Sequence, residues 1–100
     1  MIIKAKEEGN RFELELNGRL DANSSPDLEE LLKRSIEHIE LLIFDFTNIE
    51  YISSAGLRVL LAAQKIMDKQ GKMIIRNPNS SVIDIMDITG FLNVFTIEQS

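Results

Sequence analysis

Hydrophobic and polar positions change period several times along this chain, and each change marks an expected element boundary. Ile3 and Ala5 alternate with Lys4 and Lys6, which predicts a short strand over Met1 to Lys6. Glu7-Glu8-Gly9-Asn10 reads as a turn. From Arg11 to Asn17 the alternation resumes, with Phe12, Leu14 and Leu16 on one face and Glu13 and Glu15 on the other. The two runs predict a hairpin whose second strand is half-buried, lies at an antiparallel edge and is closed by Gly18. Ser24-Ser25-Pro26-Asp27 then reads as a helix start, with a serine cap, a proline in the first turn and a carboxylate near the positive end of the dipole. Leu28, Leu31, Leu32, Ser35, Ile36 and Ile39 fall on one stripe of that helix. Glu29 with Lys33 and Glu30 with Arg34 stand four apart on its outer face.

The pattern is densest in the middle. Leu41-Leu42-Ile43-Phe44-Asp45-Phe46 is a continuous apolar run broken only by Asp45, which predicts a strand covered on both faces, as in a parallel sheet. Thr47 to Ile52 reads as a turn. From Leu57 the spacing becomes helical through Leu60, Leu61 and Ile66, so a helix is expected from Ser54 to Gln70, stopped by Gly71 and with Lys69 in its last turn. Lys72 to Arg76 predicts the next buried strand. Asn77-Pro78-Asn79-Ser80 breaks the chain, a third helix carries Val82, Ile83, Ile85, Met86 and Ile88 up to Gly90, and Val94 to Ile97 reads as the last strand. The expectation is a single α/β domain over residues 1–100, in the order β-β-α-β-α-β-α-β, with right-handed crossovers packing helices on a mixed sheet.

Composition narrows the functional classes. One hundred residues, 44% hydrophobic and 27% charged, suffice for one core. A net charge of -5 disfavours direct nucleic-acid binding, which needs a basic surface. The chain has no cysteine, so disulfides and thiolate metal sites are excluded. No secretory or membrane-spanning run is legible, and the cytoplasm is the expected location.

Candidate chemistry is sparse. There is no glycine-rich phosphate loop, no His-Glu-x-x-His and no Gly-x-Ser-x-Gly, so no enzyme activity, metal or cofactor is expected. Asp21 and Asp45 invite a carboxylate pair, but Asp45 ends a strand, where it is better placed to accept hydrogen bonds from the following turn. The lone His38 lies beside the apolar stripe without a catalytic partner. Ser53 and Ser54 stand where the second long helix begins. A serine there is either a cap, worth about 1 kcal/mol over alanine, or a place where a phosphate would be favourably held.

The run from Asp45-Phe46-Thr47 to Ile52-Ser53-Ser54-Ala55-Gly56-Leu57, preceded by Gly18-Arg19-Leu20-Asp21, resembles the bacterial anti-sigma factor antagonists, the small members of the STAS superfamily. In that family the serine two residues before the glycine is phosphorylated, which implies Ser54. Position 53, often aspartate in the family, is serine in this chain. The resemblance implies a protein-interaction switch. The unmodified domain binds an anti-sigma factor that is also a serine kinase, phosphorylation releases it, and a serine phosphatase restores binding. Ser53, Ala55 and Gly56 would form the docking surface around Ser54, with Asp21 and Asn23 in a neighbouring loop. Arg58, in the first helical turn, is placed to pair with the phosphate or with a partner carboxylate, and is as often merely solvated at such a position. The alternative implied by the same superfamily is a ligand- or nucleotide-binding regulatory module, with a phosphate held at the helix start beside Thr47, Asn48 and Ser53. Family members usually continue into another helix after the last strand. With the sequence ending at Ser100, Phe91, Phe95 and Ile97 are expected to expose apolar surface and to favour a weak homodimer.

Overall fold

The chain reverses at Gly9-Asn10 because Gly9 adopts a φ of +60°, in the left-handed region that a tight hairpin turn requires. The structure, a computed structural model, describes residues 1–100. The hairpin joins β1 (Ile2–Glu8) to β2 (Arg11–Leu20). Thereafter helices and strands alternate as α1 (Ser25–Ser35), β3 (Leu41–Ile52), α2 (Ser54–Gln70), β4 (Lys72–Arg76), α3 (Ser80–Ile88) and β5 (Ile97–Glu98). The five strands form one sheet in sequence order, with β1 antiparallel to β2 and every later pair parallel.

That order explains where the helices lie. Each crossover steps one strand in the same direction, and the right-handed rule then puts α1, α2 and α3 on the same face. The core forms there, where Leu14, Leu16, Phe44, Phe46 and Ile75 of the sheet meet Leu28, Leu32, Leu60, Met67, Val82 and Met86 of the helices. Phe44 and Phe46 pack edge to face, with ring centres 6.4 Å apart.

Several sequence expectations are corrected. The Leu41 to Phe46 strand is covered by helices on one face only. Ile43 and Ile74, register partners on the opposite face, are buried but lie outside the main core. They are screened by long side chains of the sheet itself, since Arg76 reaches diagonally across β3 to Glu13 at 3.4 Å. Strand β2 is interior, between β1 and β3, and it runs on to Leu20 through Gly18, whose φ is +112°. Strand β3 also continues, to Ile52, because two bulges let its inward positions recur as Phe46, Ile49 and Ile52. Phe46 and Thr47 together oppose Leu16, and Glu50 is inserted between Ile49 and Tyr51.

At the C-terminus Leu92–Val94 is a short 3-10 turn, and β5 is confined to Ile97–Glu98. Phe95 is buried, while Phe91 and Ile97 are half-buried against the core. The apolar side chains that do face solvent there are Ile88 and Val94. Ser24 does not cap α1 through its side chain. Of the two expected pairs on that helix, Glu29 with Lys33 forms at 3.6 Å, and Glu30 with Arg34 does not form.

Candidate functional site

The carboxyl ends of β2 and β3 lie side by side, with Leu20 paired to Ile52, and from this end α1 and α2 depart. The N-H of Ser53 donates to the carbonyl of Leu20 at 2.9 Å, which ties the two strand-to-helix turns together. Helix α2 can begin so close to the sheet because position 56 is glycine. A Cβ there would stand 2.8 Å from both the carbonyl oxygen and Cγ of Leu20, and 2.9 Å from Ile52. Gly56 is itself buried, so its contribution to this surface is the placement of the helix start.

The two serines have different surroundings. Ser53 is the N-cap of α2, and its hydroxyl accepts from the N-H of Gly56 at 3.4 Å. Ser54 is the first helical residue, exposed, with its hydroxyl in no hydrogen bond. Ala55 is half-buried and Arg58 is exposed one turn further along.

The neighbouring loop is held by Asp21. Its carboxylate accepts from the N-H of Asn23 at 3.0 Å and of Ser24 at 3.2 Å, and from the Ser24 hydroxyl at 3.3 Å. Ser24 in turn donates to the Arg19 carbonyl at 2.7 Å and accepts from the N-H of Asp21 at 3.0 Å. Ser24, read as a cap, is therefore the loop's fastener. These bonds hold the Asp21 carboxyl below its ordinary range. The Ser24 N-H is the largest cause, partial desolvation opposes it, and the Asn23 N-H, the Ser24 hydroxyl and the Arg19 charge add to it. Arg19 lies 3.8 Å from Asp21 and places its guanidinium 4.7 Å from the centre of the Tyr51 ring. Asn23 projects from the loop and is exposed.

Two hollows open at this end of the molecule. One, of about 440 Å³, is walled by Asp21, Asn23, Asp27 and Glu50, with Arg19 and Met1 at its margin. The other, of about 210 Å³, runs between the first turns of α1 and α2 and is walled by Ala22, Ser25, Pro26, Glu29, Ala55, Arg58 and Val59. The structure thus brings Asp21, Asn23, Ser53, Ser54, Ala55 and Arg58 to one end of the molecule. Ser25 was not anticipated as part of it, and its only signal was its place in the Ser24-Ser25-Pro26 helix start.

Other candidates fall away from this end. Asp45 accepts from the N-H of Thr47 at 3.0 Å and from its hydroxyl at 2.6 Å, the acceptor role expected of it, but at a bulge within β3 where a turn was expected. It lies in register with Glu15 and Arg76, separated from Asp21 by the bulged half of β3. His38 is exposed and 3.0 Å from Glu7. Thr47 bonds to Asp45 and Asn77, and neither Thr47 nor Asn48 adjoins the start of α2. No group of three or more histidine or acidic side chains is close enough to hold a metal ion. No helix is long and apolar enough to cross a membrane.

The sequence from residue 3 to residue 100 matches the STAS domain model. The chain belongs to the STAS domain family. Within it, the domain is 32% identical over 87 residues to BtrV of Bordetella bronchiseptica, a candidate anti-sigma factor antagonist, covering 85% of this chain and 75% of that protein. It is 28% identical over 96 residues to the anti-sigma-B factor antagonist of Bacillus subtilis, covering 95% of this chain and 88% of that one. Among solved structures, the unphosphorylated anti-sigma factor antagonist SpoIIAA superposes with a TM-score of 0.86 at 16% identity, over 99% of this STAS domain and 88% of SpoIIAA. That likeness extends the agreement to the fold, and the sequence relatives place the domain among the anti-sigma factor antagonists.

Proposed function

We propose that this STAS domain is a phosphorylation-controlled antagonist of an anti-sigma factor, with Ser54 as the modified residue. The observation that carries this reading is the division of labour at the start of α2: Ser53 caps the helix, while the adjacent Ser54 hydroxyl is exposed and unengaged. Its relatives supply the partner class. The unmodified domain docks on an anti-sigma factor with serine kinase activity through Ser53, Ser54 and Ala55, the Asp21–Asn23 loop and Arg58. The kinase transfers the terminal phosphoryl group of a nucleoside triphosphate to the Ser54 oxygen. A phosphate ester forms, the hydroxyl proton passes to a base of the kinase, and the nucleoside diphosphate leaves. A serine phosphatase hydrolyses the ester and restores the docking surface.

The electrostatics favour release. Asp21, Asp27 and Glu50 line one hollow at this end and Glu29 the other, so nearly two further negative charges must be desolvated against any partner complementary to this acidic surface. The fold itself tolerates the phosphate, because the start of α2 offers free N-H groups and the positive end of the helix dipole. Incubation with the kinase encoded beside it, read by intact mass and peptide mapping, tests the assignment. Phosphate on Ser54 supports it, and phosphate on Ser53 alone overturns it.

A further inference from the structure

The cleft between the first turns of α1 and α2 contains a group that the fold leaves unused. Ser25 is only 4% exposed, yet its hydroxyl has no hydrogen-bond partner. Buried hydroxyls are ordinarily paired, and this one is covered although its residue lines the cleft, so it becomes a donor to a ligand there once the side chain turns toward the opening. Across the cleft stands Arg58, exposed and in no ion pair within the chain. The N-H of Ala55 is also free, because Ser53 engages only the Gly56 and Leu57 N-H groups. Three donors from two helices therefore border one hollow. Glu29 is the carboxylate on its rim, and it is drawn toward Lys33.

Ser54 precedes Arg58 by four residues, so the two lie on the same face of α2 with Cβ atoms about 5–6 Å apart. We propose that a phosphoryl group on Ser54 is captured by its own chain, held in this cleft by the Arg58 guanidinium and the Ser25 hydroxyl. The inference rests on Ser54 as the modified residue, and it adds a cis clamp to the switch. Two guanidinium N-H groups donate to two phosphoryl oxygens. The Ser25 hydroxyl, turning about its Cα–Cβ bond, donates to one of them. The captured phosphate lies over Ala55 and withdraws Arg58 from the partner, so release follows from occupation of the docking surface as well as from repulsion. An aspartate at position 54 has a shorter reach and one charge fewer, and it engages the clamp incompletely.

The test needs neither kinase nor partner. Phosphoserine is incorporated at position 54 during translation, and the second ionisation of the phosphate is followed by phosphorus NMR in the otherwise wild-type domain, in Arg58→Gln, in Arg58→Lys and in Ser25→Ala. The clamp predicts a phosphate pKa about one unit lower in the wild-type background than in Arg58→Gln. Arg58→Lys should fall between, because the charge remains while the paired donors are lost, and Ser25→Ala should show a smaller rise. Circular dichroism verifies that each variant is folded. Equal phosphate pKa values in the wild-type background and Arg58→Gln overturn the clamp while leaving the partner switch standing. A clamp that forms in this experiment, with no kinase ever modifying Ser54, contradicts the switch alone.

Discussion

Asp21 shows how a single side chain organises the candidate site. Its carboxylate gathers the Asn23 and Ser24 N-H groups, with the Ser24 hydroxyl sharing its one proton between Asp21 and the Arg19 carbonyl, and the ionised form is the better acceptor. Because its folded pKa is lowered from 3.8, the stabilisation is fully present above that value and is lost as pH falls through the lower folded value. The Asn23 and Ser24 amide resonances should stay in place from neutral pH down into the ordinary carboxylate range and move only below it. Asp21→Asn should shift them at every pH. The two serines give a second residue-scale test. Ser53→Ala removes the cap of α2 and should cost about 0.5–1 kcal/mol in denaturant unfolding, the low end because the bond to Gly56 is long. Ser54→Ala breaks no hydrogen bond and should cost less. The pair of serines was legible in the sequence, but which of them caps was not. That depends on where α2 begins, and a shift of one residue exchanges their roles.

At the scale of elements, the junction of β3 and α2 sets where Ser54 stands. The helix periods of α1 and α2 were readable because each stripe recurs over several turns, whereas the short α3 was readable from the chain break before it and Gly90 after it. The second half of β3 was not. Its inward residues Phe46, Ile49 and Ile52 recur every third position, a spacing made by the two bulges and foreign to both strand and helix templates. The last strand was placed too early for a related reason. Phe95 is buried by packing on the core while still outside β5, so its hydrophobicity carried no information about pairing. Gly56 tests the junction directly. Its replacement by alanine puts a Cβ within 2.8 Å of the Leu20 carbonyl, a backbone atom that yields little. Gly56→Ala should destabilise by about 1–3 kcal/mol in denaturant unfolding and move the start of α2 off the sheet. The Ser54 amide should shift with it, and partner affinity should fall even though residue 56 is buried.

Across the whole molecule, the core lies on one face of the sheet and the proposed docking surface at one end of it. One face of the sheet carries all three helices and the core. The other is held by ion pairs among strands, including Arg76 with both Glu13 and Glu98. The sequence did imply a mixed sheet with right-handed crossovers. It did not reveal that all crossovers step the same way, and the apolar run at Leu41 to Phe46 looks the same whether its second face is covered by a helix or by Arg76 and Glu13. The core should be sensitive to truncation. Leu60→Ala, in the layer between α2 and the sheet, should cost about 2–5 kcal/mol in denaturant unfolding. The proposed docking surface lies at the end where β2 and β3 hand over to α1 and α2, and there the proposed switch stands or falls on Ser54. The decisive measurement is calorimetric titration of the cognate anti-sigma factor into the unmodified domain and into the same domain carrying phosphoserine at position 54. The switch predicts binding at least ~30-fold weaker for the phosphorylated form, equivalent to about 2 kcal/mol. Equal affinities for the two forms would contradict it.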